Sequence, residues 1–234
     1  MLPDYEGMLE GFYRKLPHSG NTCVDIGAHV GRHTFPMAEC IGIDGHIIAI
    51  EPIPMLAKAL REDVRHKGLD RVIVVHELAL SETSGTSTLI IAEDAPGYSG
   101  LRRRTYDVPT RTVEIEVTLS TLDSIIDGKL NALHYIKVDA EGAEWSILQG
   151  ACHTVERFRP VVSFEFGEAS YGVYGVIPED VYDFFRERGY QILDIRGRGL
   201  SRDGFTESSR RQELWDYVAV HAESDCASSL AMLR

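Results

Sequence analysis

Short continuous apolar runs alternate with stretches of helical period along most of this chain. Runs such as HIIAI, RVIVV and PVVSF are β-branched and uninterrupted, the mark of strands buried on both faces. Strands are predicted over residues 22–26, 46–51, 72–75, 133–138, 161–166, 191–194 and 216–221. Helices are predicted over 31–40, 54–67, 120–127, 142–150 and 178–188. Such strand–helix–strand repetition predicts an α/β domain with a seven-stranded, mostly parallel sheet and helices on both faces. The last two strands, YQILDI and WDYVAV, are joined by a segment rich in glycine, arginine and serine with no apolar period. They are expected to form an antiparallel hairpin.

Two β-rich segments, 86–92 and 112–118, interrupt the alternation and flank the basic, turn-rich stretch APGYSGLRRRTYDVPT. They read as a hairpin or flap inserted at 86–118, and long insertions of this kind often carry substrate contacts. Ser120, with Asp123 three residues on, reads as the N-cap of the helix that follows. Residues 1–19 read as a helical extension with Leu9, Phe12, Tyr13 and Leu16 on one face. Residues 20–222 make the domain, and 223–234 a polar, loosely ordered tail.

Open parallel sheets bind ligands beyond the carboxyl ends of their strands. The first strand there runs into VDIGAHVG, residues 24–31. Gly27 lets the backbone turn close to a ligand, and Gly31 allows a tight start to the next helix. The spacing is not GxGxxG, since it lacks the middle glycine that admits a pyrophosphate. Asp25 precedes the turn instead, where an acid repels a diphosphate and suits a cationic ligand, such as a sulfonium bearing an ammonium group. Glu51, followed by Pro52, can accept hydrogen bonds from both hydroxyls of a ribose, a role shared with nicotinamide enzymes. Pro52 stops the strand and helps to hold the loop. Singly, Asp25 and Glu51 also read as strand-end caps; with the two glycines between them they specify an adenosine cofactor. His29 either touches that cofactor or is a satisfied polar loop residue, and His33, on the next helix, reads as non-catalytic.

The most distinctive segment is LHYIKVDAEGAEWSILQGA, residues 133–151. Asp139 ends a core strand, where a bare carboxylate is costly unless paired. Lys137, two residues back on the same pleat face, is a candidate partner. Glu141 and Glu144 stand at a helix start, where the macrodipole favours acids. Glu165 ends the next strand and should emerge beside Asp139. Asp139, Glu141 and Glu165 are therefore the candidate catalytic acids. Asp139 and Glu165 could together hold a divalent cation, or one could act as a base. His134, at the start of its strand, reads as structural. Tyr171 and Tyr174, in the loop 167–178, could stack on an acceptor ring. Arg102, Arg103 and Arg104 either greet an acidic acceptor or form a solvated face.

VDIGAHVG, AIEP, ELALS, TLDSII, IKVDAEGAEWSILQGA and RPVVSFEF, in that order, resemble the FkbM family of methyltransferases across about residues 20–170. IKVDAEGAE followed by QGA is the strongest single match. The resemblance implies a single Rossmann-like class I methyltransferase domain that uses S-adenosylmethionine and O-methylates a hydroxyl of a sugar, polyketide or other small molecule. It carries over Asp25, Gly27 and Glu51 as cofactor residues and Asp139 as a site residue. His29 departs from the family pattern, which more often has asparagine. The reading from residues alone keeps two alternatives, an NAD(P)-dependent oxidoreductase and a catalytically inactive S-adenosylmethionine-binding module.

Composition narrows the partners. The 234 residues carry 24 basic against 36 acidic side chains, a net charge of −12. That argues against general nucleic-acid binding, which needs a basic face. No apolar run is long enough to span a bilayer, and the N-terminus lacks a secretory h-region. The four cysteines form no CxxC pair, so small buried hydrophobes in a reducing cytoplasm are expected. Nothing in the pattern specifies self-association.

Overall fold

A computed structural model describes residues 4–16, 18–94, 96–103, 109–212 and 214–224. The first half contains α1 (Tyr5–Tyr13), β1 (Thr22–Ile26), α2 (Thr34–Ile41), β2 (His46–Ile50), α3 (Pro54–His66), β3 (Ile73–His76), β4 (Ala79–Leu80) and β5 (Gly85–Ala92). Next come β6 (Thr112–Ser120), α4 (Leu122–Ile126), β7 (Tyr135–Val138), α5 (Glu144–Gln149), α6 (Cys152–Phe158) and β8 (Val161–Glu165). The chain continues through α7 (Glu168–Tyr171), α8 (Pro178–Glu187), β9 (Tyr190–Asp194), α9 (Arg202–Arg211) and β10 (Asp216–His221).

The main sheet has seven strands in the order β3-β2-β1-β7-β8-β10-β9, with β10 antiparallel to both its neighbours. Alternate residues along each strand enter different cores. Val24, Ile48, Ile136 and Val162 pack with Ile125, Leu148 and Phe185. Cys23, Ile47, Tyr135 and Val161 pack with Leu9, Tyr13, Met37 and Leu60. Burial on both faces is why the strands read as continuous apolar runs. The face formed by Leu9, Phe12, Tyr13 and Leu16 seats α1 on the second core. Ion pairs from Arg32 to Glu10 (2.5 Å) and Arg14 to Glu39 (2.8 Å) hold its outer side.

Four expectations are corrected. The final two strands do pair antiparallel, but α9 lies between them rather than a loop. Its sequence, RDGFTESSRR, buries only Phe205, Thr206 and Ser209, so no apolar period shows. Ser201 caps it, accepting a hydrogen bond from the Gly204 amide at 3.1 Å. The N-cap of α4 is Thr121, which accepts from the Ser124 amide at 3.0 Å, because Ser120 is still paired in β6. The helix expected over 142–150 is α5, beginning at Glu144, and α6 follows as a helix that the pattern did not signal. Tyr171 lies in α7 and stacks on Phe166 at 4.3 Å between ring centroids, so it is core rather than an acceptor platform.

The inserted segments pair antiparallel from Gly85↔Leu119 to Ala92↔Thr112, and β4 joins β6 in parallel as a third strand. Leu89, Val117 and Ala79 pack against Ile53 and Leu56, which anchors this small sheet beside the carboxyl ends of β1 and β2. Residues 104–108 of the insertion and 225–234 of the expected tail lie outside the described residues. Among the described residues, no helix is long and apolar enough to cross a membrane.

Candidate active site

The carboxyl ends of β2, β1 and β7 lie side by side, and a cavity of about 320 Å³ opens above them. Gly27, His29, Glu51, Pro52, Asp139 and Glu141 line it, as do Leu56, Leu89 and Leu101. Gly27 has φ +77°, and a Cβ there would lie 1.8 Å from the Asp139 carbonyl oxygen. Only glycine lets the β1 and β7 ends approach this closely. Gly31, also at positive φ, sits away from the cavity, where a Cβ would strike Phe35 and Leu60. Its role is to let the loop pack against the start of α2 and against α3.

Glu51 stands just past β2, and both its oxygens are fixed. Oε2 accepts the His29 amide at 2.8 Å and Oε1 the Ile53 amide at 2.9 Å. Burial raises its pKa, partly opposed by these two bonds. His29 reaches the cavity wall through a left-handed backbone, φ +50°, which lets its amide meet Glu51. The remaining lone pairs of Glu51 are available to a diol. Glu51→Ala should weaken binding of S-adenosylhomocysteine by roughly 1.5–3 kcal/mol in calorimetry; unchanged affinity would remove Glu51 from the site.

Asp25 does not meet the cavity. It is fully buried, accepts from Thr34 Oγ1 at 2.6 Å, and lies 3.6 Å from Lys137 Nζ. Lys137 bridges to Asp139 at 3.1 Å, the pairing suggested by their shared pleat face. Burial alone would depress the Lys137 pKa, but the carboxylates of Asp139 and Asp25 overturn that and keep it charged.

Asp139, Glu141 and Glu165 converge, with carboxylate oxygens all within 4.8 Å of one another. Burial would raise Asp139, but Lys137 and a hydrogen bond with Glu165 hold it below its usual range. Glu165 is pushed well above its own, first by burial and then by the charges of Asp139 and Glu141. The two shifts run in opposite directions, favouring charge on Asp139 and the proton on Glu165. Glu144 is no surface helix-start acid: it is buried, and Oε1 caps its own turn by accepting the Ala140 and Gly142 amides at 2.8 and 3.1 Å. His134 is structural, its Nδ1 accepting the Thr22 amide at 3.1 Å. Arg103 is tied to Glu114 at 3.2 Å, Arg102 lies 5.4 Å over the Tyr174 ring, and Arg104 is outside the described residues.

Two groups near this cavity escaped the sequence reading. Glu6, from α1, lines the wall beside His33. Asp216 of β10 stands in register with Glu165 and is pushed up to about 7, by burial and then by the charge of Asp139. Antiparallel register would have revealed Asp216; nothing local signalled Glu6. The folded chain keeps the Asp216 proton to about pH 7, whereas the unfolded chain releases it near its ordinary value of 3.8. Its contribution to stability is therefore complete below pH 4 and lost as the pH rises to about 7. Asp216→Asn should remove that fall and raise stability at pH 8 by on the order of 4 kcal/mol in denaturant titrations. An unchanged pH slope would contradict this.

The strand order, with its antiparallel β10, is that of a seven-stranded α/β domain carrying a glycine turn between Glu51 and Asp139 at its carboxyl edge. A model of the FkbM methyltransferase domain matches residues 25–192, and the chain belongs to that family, which displaces the oxidoreductase reading. Methyltransferase sdnD of Sordaria araneosa is 24% identical over 222 aligned residues, covering 81% of each chain. A protein-L-isoaspartate O-methyltransferase of Methanopyrus kandleri is 36% identical over 59 residues, 25% of this chain. The chain spans only about a quarter of that relative, 26%. Among solved structures, methyltransferase FkbM of Methylobacillus flagellatus superposes with a TM-score of 0.54 at 16% identity, over 94% of this chain and 56% of that one. The O-methyltransferase TomG of Streptomyces achromogenes, solved with S-adenosylmethionine, gives 0.52 at 12% identity, over 94% of this chain and 81% of that one.

The residues present fit that cofactor. Gly27 lines the cavity at a turn that brings the ends of β1 and β7 together, Glu51 offers an oriented carboxylate for a ribose, and Ile53, Leu56 and Leu89 form an apolar wall suited to a base.

Proposed function

We propose that this enzyme methylates a hydroxyl oxygen of a small molecule, a sugar, polyketide or similar acceptor. The observation that carries this reading is the convergence of Asp139, Glu141 and Glu165 at the cavity, with Asp139 and Glu141 in its wall and the shifts of Asp139 and Glu165 running in opposite directions. An alcohol must lose its proton as its oxygen is methylated, so a base at that point is required. The cofactor supplies a methyl group on sulfur, which keeps the bonding electron pair as the carbon–oxygen bond forms. Asp139 accepts the hydroxyl hydrogen bond and then the proton, with the Glu165 carboxyl bonded to it. Gly27 and Glu51 hold the donor in line, and orientation of this kind supplies up to about 7–11 kcal/mol.

The similarity in fold to TomG, an O-methyltransferase, supports the oxygen acceptor. Ser99, Gly100 and Leu101 bring the insertion to the cavity, and Arg102 rests on Tyr174; these segments, 93–111 and 167–178, are the proposed acceptor contacts. Among the described residues, Cys40 and Cys152 are free thiols, which supports a reducing compartment, the cytoplasm.

The deciding experiment is transfer of a labelled methyl group into a pool of hydroxylated metabolites. Label in a base-stable methyl ether is expected; label on nitrogen, or in a base-labile ester, would overturn the reading. The spacing of Asp139, Glu141 and Glu165 favours a second version in which a divalent cation lowers the acceptor pKa. That version requires turnover to fall on dialysis against a chelator and to return with Mg²⁺ or Mn²⁺.

A further inference from the structure

The structure assigns a ligand to Glu6: we infer that this carboxylate, brought to the cavity by α1, binds the ammonium group of the cofactor's amino-acid tail, with His33 and Tyr13 as positioning residues. The inference rests on the cofactor reading above. The sequence placed that task on Asp25, but Asp25 is sealed behind the wall by Thr34 and Lys137. An anion is still needed where the tail ends. Glu51 stands at the end of β2 and Asp139 at the end of β7, with Gly27 on the strand between. Adjacent strands are about 4.8 Å apart, so the two carboxylates flank the turn roughly 10 Å from each other. A tail running from a ribose at Glu51 across Gly27 would approach the end of β7, and Glu6 lines this same cavity. Its charge interacts with His33, Asp139 and Lys137.

Glu6 is aimed by a chain of two hydrogen bonds. His33, buried at the start of α2, lies 2.5 Å through Nε2 from Glu6, and its Nδ1 is 3.0 Å from the Tyr13 hydroxyl. An ionised carboxylate only accepts, so Nε2 carries a proton; in the neutral ring Nδ1 is then the acceptor and Tyr13 donates to it. Burial pushes the Tyr13 pKa up, which keeps that hydroxyl a donor. The bond from His33 lowers the Glu6 pKa, which favours its anionic form. Arg32, bonded to Glu10 one helical turn along, pins α1 to the same loop. The N-terminal helix is thereby part of the cofactor site.

The test compares two ligands by calorimetry. S-adenosylhomocysteine carries the amino-acid tail; methylthioadenosine is the same nucleoside thioether without it. Glu6→Gln, which can still accept from His33, should lose about tenfold or more for the first and stay within about twofold for the second. Tyr13→Phe should give a smaller loss with the same selectivity, which a merely structural role would not produce. Equal losses for both ligands, or none, would overturn the assignment. If the unmodified chain binds neither ligand, the cofactor reading itself fails, and that result is distinguishable from the others.

Discussion

Replacing Asp139 by asparagine should lower methyl transfer by about 10²–10⁴-fold, the usual worth of a positioned base, while S-adenosylhomocysteine still binds. Asparagine keeps the shape and can still accept from Lys137, but it takes no proton. Folding should survive because Lys137 retains Asp25 at 3.6 Å, so the buried ammonium is not left without a counter-charge. Glu165→Gln separates the two halves of the pair. The glutamine amide can still donate to Asp139, so this variant should keep more turnover than Asp139→Asn. Single-turnover rates and thermal midpoints measured together decide the matter. Normal turnover in Asp139→Asn would make the acid structural, and greater loss in Glu165→Gln would move the base to Glu165.

What the sequence made legible follows from where the information sits. The strands were readable because burial on both faces writes itself as uninterrupted β-branched runs. The turn at Gly27, the acid at 51 and the carboxylates at 139, 141 and 165 were readable because the ends of parallel strands share one edge. Asp25 was assigned to the ligand because an acid just before the glycine turn suits a cation. Its counter-charge, Lys137, comes from the neighbouring strand, where Asp25↔Lys137 are register partners. Only the strand order shows that. Asp216 was hidden for the same reason, since its position opposite Glu165 depends on β10 running antiparallel to β8. α9 was hidden differently: a helix that buries three residues of ten carries almost no apolar signal. Glu6 belongs to a third class, in which a helix outside the sheet supplies a residue whose role depends on where its apolar face docks.

Gly27→Ala should damage stability and cofactor binding together. At φ +77° an L-residue pays about 1–2 kcal/mol for the left-handed backbone alone. The new methyl would also lie 1.8 Å from the carbonyl oxygen of Asp139, and a backbone atom cannot rotate out of the way. The Asp139 amide is bonded to the Ile26 carbonyl at 3.1 Å, so relief must shift the paired ends of β1 and β7. A loss of about 3 kcal/mol or more in denaturant unfolding is expected, with S-adenosylhomocysteine affinity down by about 100-fold, since Asp139 moves relative to Glu51. Gly31→Ala is the informative control. Its Cβ would meet the Phe35 ring at 2.5 Å and Leu60 at 2.8 Å, side chains outside the cavity wall that can move aside. That variant should be destabilised as well but keep most of its affinity. A Gly27→Ala chain that binds S-adenosylhomocysteine as the unmodified chain does would mean that the turn does not hold the cofactor. Parallel losses in the two variants would mean that the loop acts on binding through its stability alone.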